Sequence, residues 1–291
     1  MALGKIGSNV KGALVGTIKG AGDVIGTTVS TTREAVVSAL QGVGDVAKEV
    51  TSVTADVLQG AMEAAQQVGA SVGNVVKGTL IGVVRGVGEV GTVTAGVLSD
   101  TVRAAIQGTR EVGTDAGSTV MNAAEGAIRG TRDLAITIAD AAAGVAAGAI
   151  RGARDVGTDL GTTAKNAMQG TVRGANEIGA DTLDAVEGTA RGLIRGTAQV
   201  GGDVTAVARG AISGAIATAK EVGVSTSDAA SAAVTGALHA ARDVSETAVE
   251  SVTSLLDTTI DGVKVVAKAP FRKEDRGGEG SGGRTLPPGQ G

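Results

Sequence analysis

The stretch GAIRGARDVGTDLGTTAKNAMQ, from Gly148 to Gln169, decides the fold, because its opening ten residues return 22 positions later as GTVRGANEIG (Gly170–Gly179) and again as GLIRGTAQVG (Gly192–Gly201). Weaker copies stand at GTIKGAGDV from Gly16, GVVRGVGEVG from Gly82 and GALHAARDV from Gly236, and twelve copies fit with no insertion or deletion. A fixed period is a statement about geometry, and it points to function in the repeated surface before any single pocket. Twenty-two is twice eleven, and eleven residues complete three helical turns at about 3.67 residues per turn.

Two columns of the repeat are apolar in every copy. One holds Ile18, Leu40, Met62, Val84, Ile106, Ile128, Ile150, Val172, Ile194, Ile216, Leu238 and Ile260. The other holds Val24, Val46, Val68, Val90, Val112, Leu134, Val156, Ile178, Val200, Val222, Val244 and Val266. On a wheel at about 98° per residue, Ala149, Ile150, Ala153, Val156, Gly157, Leu160, Ala164, Ala167 and Met168 share one arc, and Arg151, Arg154, Asp155, Asp159, Lys165 and Gln169 share the other. That apolar arc is wider than the seam of a two-stranded coiled coil. A β-solenoid of the same period requires sustained alternation, which AKEVTSVTADVLQGAMEAAQQVG lacks. The expected class is all-α: an elongated amphipathic helical repeat, either a single long helix or folded-back helices.

The expected organisation is a lead-in over 1–15, the repeat over 16–268, and a tail over 269–291. Pro270 interrupts the helical pattern, and the Gly, Pro and charge content beyond it reads as disordered.

Composition narrows the function classes. The chain has 291 residues, 48 Gly, no Trp, Tyr or Cys, and one Phe. Large aromatics ordinarily supply much of a core's buried area, so burial here must come from many shallow Ala and Val contacts. Without Cys there is no disulfide framework or thiolate metal site. A net charge of −4 with no stacking aromatics argues against a nucleic-acid partner. No signal sequence is evident, and Leu134–Ile150, containing Asp140, is too short and too polar to span a bilayer.

Glycine makes the helix conditional. Each internal Gly costs about 0.8–1 kcal/mol relative to Ala, so the apolar face needs a partner, either another helix or a lipid surface. Gly126 and Gly130, Gly148 and Gly152, and Gly170 and Gly174 have the small-x-x-x-small spacing that lets helix backbones approach closely. Glycine is too frequent for turns to be located from sequence. Alternatively, a long amphipathic helix binds an interface through many weak contacts. In either case the two apolar columns are the lipid- or partner-facing residues.

The Gly-, Thr- and Val-rich 11-residue periodicity, the weak charge and the lack of bulky aromatics resemble the repeat region of perilipins, which coat lipid droplets. More distantly they resemble the repeats of synucleins, exchangeable apolipoproteins and late-embryogenesis-abundant proteins. The likeness runs from about Gly16 to Ala267 and lies in period and composition. It implies a peripheral, cytoplasmic coat on a lipid droplet, storage granule or membrane.

Sharper-looking sites dissolve into the repeat. Gly86–Gly91 matches GxGxxG, but a dinucleotide site needs a strand before it and a helix after it, and other copies replace Gly88 with Arg110, Arg154 or Asn176. His239, the one histidine, occupies the column of Lys19, Arg85, Arg129, Arg151, Arg173 and Arg195 and reads as a solvated polar-face residue. The pairs Lys19–Asp23, Arg85–Glu89, Arg129–Asp133, Arg151–Asp155 and Arg173–Glu177 have i,i+4 spacing and are expected to support one helix face. No catalytic group, metal, cofactor or small-molecule substrate is indicated. The expectation is a non-enzymatic lipid-surface protein. The alternative is a self-assembling helical protein packed through small residues, and a stress-protective role ranks below both.

Overall fold

A computed structural model describes residues 4–19, 22–41 and 46–267. The tail expected over 269–291 lies outside the described residues. The repeat is not one continuous helix: among the described residues it is cut into twelve helices that fold back into a multi-helix bundle. In chain order these are α1 (Lys5–Ile18), α2 (Val24–Leu40), α3 (Val46–Val68), α4 (Val72–Val90), α5 (Ala95–Val112) and α6 (Ala116–Gly130), then α7 (Ile138–Val156), α8 (Leu160–Glu177), α9 (Thr182–Gln199), α10 (Val204–Val222), α11 (Thr226–Val244) and α12 (Glu246–Thr253). α1 runs through the boundary placed at residues 15 and 16.

The turns have a sequence cause that repeats with the period. Gly69, Gly113, Gly157, Gly179, Gly201 and Gly223 adopt left-handed backbone, with φ of 77° at Gly157 and 76° at Gly223. Such a residue ends a helix, and glycine takes the conformation without steric cost. Two residues later a short polar side chain caps the next helix. Asp115 accepts from the Ser118 amide, Asp159 from Thr162, Asp181 from Asp184, Asp203 from Ala206, and Ser225 from Asp228. Each 22-residue copy is therefore one helix plus one turn.

Some copies depart from this rule: Gly91 keeps an extended backbone and Thr94 caps α5, Ser245 serves both α11 and α12, and the copy after α6 lacks its glycine. Ala135 stands where the other copies have Gly157 or Gly179, and α6 stops early at Gly130. The positive φ moves to Asp133, at 69°, a residue type that tolerates this region better than most. The chain then reaches α7 through an irregular loop.

The helices pack in two rows. The principal contacts join each helix to the next but one, α1–α3–α5–α7–α9–α11 and α2–α4–α6–α8–α10, with lesser contacts between successive helices. Because contact partners are so near in sequence, stability is built from neighbour terms, as in other repeat architectures. The first apolar column is part of the core: Leu40, Met62, Val84, Ile106, Ile128, Ile150, Val172, Ile194 and Ile216 are all buried, and Val84, Ile106, Ile128 and Ile150 face Gly130, Gly152, Gly174 and Gly196 of the next helix in their own row. Buried Thr189, Thr197 and Thr218 satisfy their hydroxyls on carbonyls one turn back, whereas the buried hydroxyls of Thr32, Thr54, Thr79, Thr101 and Thr171 find no partner among the described residues.

The last copy is not helical throughout, contrary to a repeat running to residue 268. After α12, strands β1 (Thr259–Ile260) and β2 (Val263–Lys264) form an antiparallel hairpin. Its turn residues Asp261 and Gly262 have φ of 49° and 82°, the two positive values of a tight Asp-Gly hairpin turn. The hairpin packs on α10 and α11, and Ile260 keeps its column's buried role with 8 % of its surface exposed.

Candidate functional site

The feature that recurs along the whole chain is the seam between helices of one row, and it is built from glycine. A side chain at Gly126 would collide with the backbone of Lys77, at Gly148 with Ser99, at Gly170 with Met121, at Gly192 with Ala143, at Gly214 with Lys165 and at Gly236 with Glu187. The separation is the same in all six pairs. In most of these positions the obstructing atom is a carbonyl oxygen of the facing helix, an arrangement suited to Cα–H···O contacts between closely approaching helices. Gly174 meets the Glu125 carbonyl in the same way, while Gly130 and Gly152 seat the β-carbons of Val84 and Ile106. All six glycines singled out for close packing thus face the helix two before their own.

Ion pairs flank the seam and span the same helices. Arg103 Nε lies 2.6 Å from Asp155, Arg129 Nε 3.0 Å from Glu177, Arg173 Nη2 2.8 Å from Glu221, and Arg195 Nη2 2.6 Å from Asp243. Arg33 pairs with Glu89 across α2 and α4, and Lys11 with Glu63 across α1 and α3 at 3.0 Å. This corrects the i,i+4 expectation: among the described residues none of the five local pairs forms. Asp155 and Glu89 are bonded to arginines two helices back, and Arg129 and Arg173 to acids two helices on. Folding back brings the complementary charge from the neighbouring turn of the array closer than the one on the same helix.

The Arg103 guanidinium holds the Asp155 carboxyl below the usual aspartate range, helped by Gln107 and Arg151. The capping carboxylates of Asp115 and Asp159 are also lowered, chiefly by the amides of Ser118 and Thr162. His239 sits in this ladder too, its Nδ1 3.3 Å from Glu187 Oε1.

From Val68 to Val244 the second apolar column lies at or just after the C-terminal ends of the helices, whereas Val24 and Val46 open α2 and α3. Val24, Val68, Val90, Val112, Leu134, Val156, Ile178, Val200 and Val222 are half-buried and packed against the core, as is Leu238 of the first column. Val46 lies outside the described side chains. Among the described residues the large apolar side chains classed as exposed are Val244, at 39 %, and Val266, at 50 %. Both columns are therefore spent mainly on other helices of the same chain.

Gly86–Gly91 spans the end of α4 and its cap, with no strand before it. Among the described residues no group of three or more His, Asp or Glu side chains is placed to hold a metal. A surface groove of about 470 Å³, lined by Asp23, Ile25, Val29, Ile81, Arg85 and Arg129 among others, is open to solvent. No described helix is long and apolar enough to cross a membrane. Neither protein-family models nor curated proteins gave a match to the chain.

Proposed function

We propose that the chain is a non-enzymatic structural repeat protein, a self-packed scaffold of stacked helices whose apolar face is completed by its own neighbouring copies. The observation that carries this reading is the seam. Glycines at one constant separation meet a facing backbone, and charged pairs join the same helices beside them. A helix that waits for a lipid surface needs an apolar face free to meet it, and here the first column is largely buried and most of the second is half-buried against the core. Coating a lipid surface would first require the rows to separate, uncovering glycine-rich helices of poor intrinsic stability.

Circular dichroism with light scattering in lipid-free buffer tests the proposal. A scaffold gives a strongly helical spectrum, a cooperative thermal transition and no change on addition of neutral-lipid emulsion or liposomes. An expanded chain in buffer that becomes helical only with lipid overturns the proposal in favour of a surface coat.

A further inference from the structure

One contact in the even-numbered row differs in kind from the rest of the ladder. Elsewhere a single cation meets a single acid at each step. Between α4, α6 and α8 four charges are joined: Lys77 Nζ lies 2.6 Å from Glu125 Oε1, Arg129 Nη1 3.7 Å from the same oxygen, and Arg129 Nε 3.0 Å from Glu177 Oε2. Glu125 is nearly fully buried, with 4 % of its surface exposed. Its equivalents in the other copies include Arg103, Ala147, Gln169 and Arg191, and the one other acid in the column is Asp257 of the last copy, so the repeat itself does not require an acid there. A buried carboxylate costs several kcal/mol unless it is paired, and Lys77, itself mostly buried, supplies that pairing.

The two carboxylates of this network, on α6 and α8, share the Arg129 guanidinium, which reaches Glu125 from Nη1 and Glu177 from Nε. We propose that the Glu125–Glu177 contact, braced by Lys77 and Arg129, is a proton-sensitive clasp that ties α8 to α6 more tightly as pH falls. With both acids charged, the two anions repel across the seam while Arg129 and Lys77 oppose that repulsion. When Glu177 takes up a proton its carboxyl becomes a donor, and the Glu125 carboxylate remains an acceptor held by Lys77. The repulsion is thereby exchanged for a hydrogen bond between helices.

The charges facing Glu177 are Lys77 from α4 and Glu125 and Arg129 from α6. Toward α10, Arg173 and Glu221 are bonded to each other, and among the described residues no ion pair reaches Glu177 from α7 or α9. Burial, and then the Glu125 charge, push the Glu177 carboxyl above the usual glutamate range, with Arg129 and Lys77 opposing. A group whose folded pKa is raised binds its proton more tightly in the folded state. It therefore adds stability as pH falls from that raised value toward the unfolded one. Asp155, which is lowered, behaves in the opposite way and stays charged over that window.

Hydrogen exchange on the full chain, corrected for intrinsic rates, tests the clasp against an internal reference. Between about pH 7 and about pH 5, protection of α6 and α8 should rise about threefold relative to α5, which Arg103–Asp155 ties to α7. Glu177→Gln, whose amide donates like the protonated acid, should show the higher protection already at neutral pH and no further rise. A flat or falling wild-type ratio, or the same rise in Glu177→Gln, overturns the proposal. Should that variant lose helicity, the wild-type Glu177 carboxyl can be titrated by NMR. A midpoint above the ordinary glutamate range supports the clasp, and one at or below it overturns it. Neither result bears on whether the helices pack without lipid, so the clasp and the scaffold reading fail independently.

Discussion

A glycine in this chain is stabilising or destabilising according to what lies opposite its α-carbon. At Gly148 and Gly192 the space for a methyl is taken by the backbone of Ser99 and Ala143, whereas in α1 Gly12 and Gly16 have nothing within 4 Å. The intrinsic preference is the same everywhere, about 0.8–1 kcal/mol in favour of alanine, so only the packing term changes sign between sites. Gly16→Ala should raise the urea midpoint, while Gly148→Ala, which must push two helices apart, should lower stability by about 1–3 kcal/mol. Matched chemical-denaturation curves measure both. If the two substitutions shift the midpoint in the same direction, the close seam is not what holds the rows together. This contrast also explains how a glycine content so costly to an isolated helix is compatible with an ordered one. The cost is borne at each residue, and the return comes from a helix two copies away.

At the scale of one helix, the device that defines an element is a left-handed glycine followed two residues later by a cap. Asp159 is the cleanest example, its carboxylate taking the Thr162 amide 2.7 Å away while Gly157 ends the preceding helix. Asp159→Ala should cost about 1 kcal/mol and Asp159→Asn much less. Thermal melts of the two variants decide this, and an equal loss in both would argue that charge at the helix start, not the cap bond, is at work. The pair Gly157 and Asp159, like Gly179 with Asp181 and Gly201 with Asp203, was legible in the sequence as a column. It was masked because glycine also occupies helix interiors such as Gly148 and Gly152, so glycine alone does not mark a turn. The apolar columns were readable because burial depends on helical phase, which the period fixes. Partner choice was not, since a wheel describes one helix and places Asp155 beside Arg151 with no means of presenting Arg103. The hairpin was missed for a related reason: Ile260 obeys the column, and only Asp261-Gly262 signals the tight turn.

For the whole molecule, the 22-residue unit performs two tasks that are separable by experiment. As two sets of eleven residues it keeps helical phase, and as one turn plus one helix it returns the chain to the opposite row. A continuous surface-bound helix would need only the first task, so removing 11 or 22 residues should disturb it equally. The stacked array needs both. Excision of residues 158–179 joins Gly157 to Ala180 and preserves the sequence Gly, one residue, then the cap Asp181. Every later helix then changes row, but the rows carry the same columns, as Ile150 and Val172 or Gly148 and Gly170 show, so glycine meets backbone again. Excision of residues 158–168 keeps the phase but removes the cap Asp159 and half of α8, leaving a stub that neither spans the seam nor turns the chain. The 22-residue deletion should therefore retain its helicity per residue and a single cooperative melt, with a midpoint lowered modestly by the loss of one neighbour interface. The 11-residue deletion should lose cooperativity around α7 to α9, seen as a broadened transition and faster amide exchange there. Equal behaviour of the two deletions in lipid-free buffer would show that phase alone governs this protein and that the stacked rows do not.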